Sequence, residues 1–342
     1  MTERNAAAHC AHVPRLVDGW IDVHAHFAPP RSAAQRDAIW AHLQADNWTG
    51  CQPPEWTLDE RLAYMDRVGI AMQMLSMVGH DAEAAHAANA YGAQLRDRHP
   101  ARFGLLAGLP TDAADAALAE LAHAERLAAD GFAVYCRYNG VFLSDARLEP
   151  LWRELDRRAA VVFVHPDHAL PGQFGRPGVL MDVAYQTASV VADMLYAGIF
   201  RRYPGIRFVL AHCGGALPAL SGRLLLLGTQ PWVPNPQRLS EDEMRRQLAA
   251  LYLDTAMAGH APSLSAGIAM TSCEHLVYGS DCGAPCTVDA TAIANIRALL
   301  AFQGLDAQQI AQIGRNALAL FPAAAARMRS MSGAAPGHRA TP

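Results

Sequence analysis

Between residues 18 and 325 one pattern recurs along the chain: a short run of β-branched and aromatic residues, then a longer Ala/Leu/Arg-rich segment. Runs at Trp20–His24, Ala71–Met77, Phe103–Ala107, Phe132–Tyr135, Val161–His165, Arg207–His212, Leu251–Asp254 and Leu276–Tyr278 read as eight strands. Helical period is clear over 81–98, 112–129, 145–159 and 182–203, with Asp112 and Asp145 placed as N-caps and Pro204 as a stop. Strands separated by helices must run parallel, because the chain has to return before the next strand begins. Eight such units predict a closed (β/α)8 TIM barrel of the α/β class. Residues 29–56, rich in Pro, Trp and polar side chains, do not fit a βα unit and read as an insertion over the barrel mouth after strand one. Residues 1–17 and 326–342 lack period and read as flexible tails flanking a single barrel domain over 18–325.

Composition narrows the chemistry. With 51% apolar and 18% charged residues in 342, the chain can bury a large core. All 28 basic residues are Arg and none is Lys. That excludes a Schiff-base Lys, a P-loop Lys and a carbamylated Lys bridging two metals. The net charge is −4 and the Arg residues are scattered, which argues against nucleic acid as a partner. No window is apolar enough to span a bilayer, and the amino-terminal residues lack a signal peptide's apolar stretch. The seven Cys are irregularly spaced and several lie in apolar segments, so a reducing, cytoplasmic setting is expected.

Four strand ends carry ligand-type residues. Ile21-Asp22-Val23-His24-Ala25-His26 holds two imidazoles at i and i+2, on one face of an extended chain. Apolar runs also end in His165, in His212 and in Gly279-Ser280-Asp281. In a (β/α)8 barrel the carboxyl ends of all strands open on one mouth, so these four His and one Asp would converge. Neutral imidazoles beside a carboxylate suit Zn²⁺ or a similar divalent ion. Asp22 reads as a structural partner of the pair. The histidines without strand-end placement, His86 and His123 among them, read as solvated or packed.

The segments DVHAHFAPP, VFVHP, LAHCGGALPALSGR, YLDTA and YGSD together resemble the amidohydrolase superfamily. Within it they are similar to the group containing aminocarboxymuconate-semialdehyde decarboxylase and the non-oxidative aromatic decarboxylases. Residues 102–228 look most like 6-methylsalicylate decarboxylases. The resemblance implies that His24, His26, His165 and Asp281 bind one divalent metal, Zn²⁺ with Mn²⁺ as the other option. It implies His212 as a catalytic acid/base, with Asp281 also catalytic. Two positions depart from the decarboxylase pattern: Ser189 stands where an Arg is usual, and Asp281-Cys282-Gly283 replaces Asp-Tyr-Pro.

Two reactions fit such a centre. One is non-oxidative decarboxylation of a small aromatic or unsaturated carboxylic acid. The alternative is hydrolysis of a lactone or amide by metal-bound hydroxide. Arg223, eleven residues after His212, stands where decarboxylases of this group carry an Arg for the substrate carboxylate, and a guanidinium fork suits that task. In relatives this Arg can reach a neighbouring subunit, which implies a homodimer. Further substrate contacts are expected from Trp48 and Trp56 in the insertion, His80 after strand two, and Tyr135, Arg137 and Asn139 after strand four. Cys213 is expected to pack behind its strand rather than react.

Overall fold

The computed structural model of the chain describes residues 15–167 and 170–332. Eight parallel strands form one sheet in sequence order: β1 (Trp20–His26), β2 (Ile70–Met77), β3 (Phe103–Gly108), β4 (Gly131–Tyr135), β5 (Val161–His165), β6 (Arg207–Leu210), β7 (Tyr252–Asp254) and β8 (Leu276–Val277). The sheet closes through the segment after β8. Val23 N–H donates to Tyr278 O at 2.9 Å, Asp281 N–H to His24 O at 2.8 Å, and His26 N–H to Cys282 O at 2.6 Å. Each strand expected from the sequence is present, within two residues of its expected limits.

Helices α1 (Ala33–Ala45), α2 (Leu58–Val68), α3 (Ala82–Arg98), α4 (Ala114–Arg126), α5 (Glu149–Arg157), α6 (Asp182–Tyr196), α7 (Ile199–Arg202), α8 (Leu217–Leu227), α9 (Glu241–Ala249), α10 (Ala261–Met270), α11 (Asp289–Leu300), α12 (Ala307–Ile313), α13 (Ala317–Leu320) and α14 (Pro322–Ser332) connect or surround the strands. Two cores result. One lies between the cylinder and its helices; the other fills the cylinder with Ile21, Val23, Met72, Met74, Leu106, Phe163, Val209 and Val277. Leu320, Phe321 and Ala324 join the inner core and plug the base of the barrel.

Four local expectations are corrected. The 182–203 helix is two helices, because Gly198 takes a left-handed φ of 76° between them. Asp112 does not cap a helix: Ala113 is the N-cap of α4 and makes no side-chain cap bond, while Asp112 Oδ2 accepts from Asn139 Nδ2 at 2.9 Å. The expected carboxyl-terminal tail from 326 instead continues α14 to Ser332. Arg327 anchors it with two bonds to Asp130, at 2.8 and 3.0 Å. At the other end, Val17 is buried and its N–H donates to Val68 O at 3.1 Å, so the core begins before residue 18; residues 1–14 and 333–342 lie outside the described residues.

The insertion contains a helix. Ser32 and Gln35 form a capping box that starts α1, a helix with no buried residue. Its far end is held by Asp46, which accepts from Gly172 N–H at 2.6 Å and Gly178 N–H at 3.0 Å. The loop after β1 is thereby tied to the loop after β5, two segments that both leave the mouth end of the barrel.

Candidate metal centre

The β1 register is irregular between Asp22 and Ala25. Ile21 and Val23 pack inside the cylinder, so plain alternation would send His24 outward. The irregularity re-aims the backbone, and His24 lies instead against Phe163 of the inner core, ring centroids 4.9 Å apart. Gly279 leaves the room: a Cβ there would come within 2.9 Å of His24 Cβ and 3.0 Å of Asp254. Below, Asp22 fastens β1 to the end of β8, accepting from Ser280 N–H at 2.9 Å, Ser280 Oγ at 2.6 Å and Gln73 Nε2 at 2.9 Å. Burial lifts its pKa to about 6 despite these bonds.

All five strand-end residues meet. His24, His165, His212 and Asp281 each offer an atom within 4.8 Å of the other three. His26 joins them, its Nε2 lying 3.1 Å from His24 Nε2 and 3.2 Å from Asp281 Oδ1, while His24 Nε2 is 3.1 Å from the same oxygen. Donor atoms about 2.0–2.2 Å from a single cation stand roughly 3 Å from one another, so this spacing fits a shared ion.

The remaining ring nitrogens divide the histidines. His24 Nδ1 lies 2.7 Å from Asp254 Oδ2, His26 Nδ1 3.3 Å from Ser76 O, and His165 Nδ1 2.7 Å from Pro166 O. Each of these rings has an oxygen to accept a hydrogen bond from Nδ1–H, which leaves Nε2 free to ligate, the usual support of a metal-bound imidazole. His212 Nδ1 is buried and has no partner among the described residues, and its Nε2 lies 3.8 Å from Asp281 Oδ2.

Two buried carboxylates dominate the electrostatics around His24. Burial opposes charge on His24, yet Asp254 and Asp281 outweigh it and lift its pKa to about 10. Burial would also raise Asp281, but the His24 charge and the close rings of His212, His24 and His26 hold it well below the usual carboxylate range. Desolvation, with the rings of His26, His24 and His212, keeps His165 neutral, as ligation requires. Backbone strain marks the same place: His212 and Asp281 take φ values of 54° and 61°, uncommon for residues with a Cβ.

Outside the centre the expected contacts separate. Tyr135 stands beside it, its ring centroid 5.8 Å from that of His165 and its hydroxyl donating to Val78 O at 3.4 Å. Arg137 pairs with Asp167 at 3.0 Å, two residues past His165. His80 does not turn inward: its side chain is 84% exposed and pairs with Asp81 at 3.1 Å. Trp56 is half-buried against the outer core, consistent with scaffold packing. Trp48 is also half-buried, and the indole nitrogens of both are enclosed without a partner among the described residues. Arg223 is exposed on α8 and forms no ion pair among the described residues. Cys213 packs inward, burial pushing its thiol up to about 12. Sequence reasoning missed the role of Asp254, although it ends an apolar strand just as His165 does.

The fold and the centre define a class, the (β/α)8 barrels that gather imidazoles and a carboxylate at the carboxyl ends of their strands. The amidohydrolase family profile matches residues 21–323, and the chain belongs to that family. A 6-methylsalicylic acid decarboxylase of Penicillium expansum is 32% identical over 279 residues, covering 76% of this chain and 84% of that protein. The decarboxylase yanB of Aspergillus niger is 31% identical over 293 residues, covering 76% of each. Among solved structures, a dihydroxybenzoic acid decarboxylase of Polaromonas sp. JS666, with bound manganese and 2-nitroresorcinol, has a TM-score of 0.72 at 21% identity. That alignment covers 89% of this chain and 97% of the Polaromonas protein.

Proposed function

We propose that this protein is a metal-dependent, non-oxidative decarboxylase of a small aromatic carboxylic acid, with 6-methylsalicylate and hydroxybenzoates as the first substrates to try. The observation that carries this over hydrolysis is the kinship itself: relatives above 30% identity across three quarters of the chain are named decarboxylases. Ligation is assigned to His24, His26, His165 and Asp281, and acid/base work to His212 with Asp281. The support for that division is the contrast between three imidazoles with a tied Nδ1 and one without. A divalent cation bound there would supply a fixed positive charge to hold the substrate carboxylate and an adjacent oxygen. Zn²⁺ suits the nitrogen donors; Mn²⁺, present in the Polaromonas structure, is the alternative.

The chain's residues would then move one proton. His212 delivers it to the ring carbon that bears the carboxylate, and a C–H bond forms there. The C–C bond to the carboxylate breaks, its electron pair restores the aromatic ring, and CO₂ departs. Asp281, 3.8 Å from His212 Nε2, steadies the charged imidazole between turnovers. Tyr135 offers an aromatic wall beside the centre, and Arg137 holds Asp167 in charge balance near it. Trp48 and Trp56 in the insertion, and His80 in spite of its turn toward Asp81, complete the proposed substrate contacts.

Arg223 we assign to a partner's centre across a homodimer, because it is exposed next to Leu220 and Leu226, apolar side chains that are 44% and 69% exposed on the same helix. Mixing Arg223→Ala subunits with His165→Ala subunits should restore part of the activity that each lacks alone; failure of both mixing and dimerisation removes this assignment. No helix among the described residues is long and apolar enough to cross a membrane. The six described cysteines are all free, which supports a cytoplasmic setting.

The deciding experiment is incubation of metal-loaded protein with 6-methylsalicylate in D₂O. Release of CO₂ with one deuterium at the vacated ring carbon is expected. Turnover of lactones or amides, with ¹⁸O from water entering the product and no acid decarboxylated, would replace this reading by the hydrolase.

A further inference from the structure

Away from the barrel mouth, α3 and α4 pack side by side and bring together His86, Glu120 and His123, whose donor atoms all lie within 4.8 Å of one another. Glu120 and His123 are three residues apart and share one face of α4. His86 Nδ1 lies 3.1 Å from Glu120 Oε2, and the two imidazoles stack at 3.8 Å with an interplanar angle of 25°. Two features are unlike an ordinary surface histidine pair. The Glu120 carboxylate is nearly buried, with Oε1 accepting from Asn89 Nδ2 at 2.7 Å. Asn89 is itself fixed to the end of β3 by bonds to Gly108 O at 2.9 Å and from Gly108 N–H at 2.8 Å. The carboxylate is thus held by a second side chain, as ligating carboxylates are. His123 Nε2, moreover, is enclosed and has no hydrogen-bond partner among the described residues, a costly state for a ring nitrogen.

We propose that His86, Glu120 and His123 form a second, separate site for a divalent transition-metal ion, clamping α3 to α4. Two imidazoles and one carboxylate are a donor set suited to Zn²⁺, with water as the fourth ligand. His86, with a side chain 56% exposed, opens the site to solvent and is the member able to swing. Donor atoms must come to roughly 3 Å from one another around an ion, and its movement supplies the difference. A metal on His123 Nε2 places the ring proton on Nδ1, so the 3.5 Å contact there with Arg126 Nη2 is given up.

The test uses full-length protein stripped with a chelator, titrated with Zn²⁺ and analysed for metal content. The parent should hold two zinc ions per chain, and His86→Ala and His123→Ala one each. The His165→Ala variant should keep the outer ion, and its thermal midpoint should still rise with Zn²⁺. Losing either outer imidazole should weaken the second equivalent by more than the roughly 10–100-fold that loss of a supporting partner costs. Should the His165→Ala protein not fold, the visible absorption of a second Co²⁺ equivalent, present in the parent and absent in His86→Ala, gives the same answer. A parent that takes up one ion, or a second equivalent bound equally by parent and His86→Ala, overturns the site.

Discussion

The two ends of the barrel are built from opposite materials. At the carboxyl ends of the strands, His24, Asp254 and Asp281 are buried with charge to balance, and His212 and Asp281 sit in a backbone region most residues avoid. At the base, Leu320, Phe321 and Ala324 close the cylinder with apolar side chains from α13, α14 and the residue between them. Asn316 Nδ2 ties that plug to the entry of β8 through Cys273 O at 3.0 Å and Leu276 O at 2.7 Å. Trp20 packs so closely on Gly314 that a Cβ there would lie 2.2 Å from its ring. The contrast separates two tasks: the mouth gathers buried imidazoles and carboxylates, and the base stabilises the frame that holds the mouth together.

Variants at the two ends should therefore fail in different ways. His165→Ala should have the largest effect. It loses the central metal and more activity than the roughly 10²–10⁴-fold that removal of a proton-transfer group costs, as metal analysis and kcat/KM would show. His212→Ala should fall by about 10²–10⁴-fold in kcat while keeping its metal; equal metal loss in both variants would erase the division of roles. Phe321→Ala, at the base, should cost about 3–5 kcal/mol in denaturant unfolding, with kcat per folded molecule nearly unchanged. A collapse of kcat in that variant would mean that the two ends are not separable. Asp254→Asn should weaken central metal binding by about 10–100-fold with little change in thermal midpoint. Smallest of all, His80→Ala should leave kcat/KM within about twofold, since its side chain is 84% exposed and turned to Asp81; a larger loss would return His80 to the site.

The legible part of the centre has a common cause. His24, His26, His165, His212 and Asp281 end apolar strands, and a buried strand ending in a ligand-type residue stands out in one dimension. Asp254 ends such a strand too, but a carboxylate whose partner is 230 residues away shows nothing of that partner until the chain is folded. His86 and His123 were unreadable for the same reason: each is an ordinary helix residue until two helices pack together. The break at Gly198 hides because the residues on either side of it keep the same helical period. The fate of the chain after 326 depends on the pairing of Arg327 with Asp130, two residues 197 positions apart.

The order and direction of eight strands, the absence of any Lys chemistry and the five residues presented at the mouth could all be read before folding, because period, composition and strand-end position are local properties of a chain. How those five divide could not. The oxygens that tie His24 and His26 belong to β7 and β2, which meet β1 only in the folded barrel, and the lack of one at His212 Nδ1 is likewise settled by folding, whereas His165 is tied by its own neighbour, Pro166.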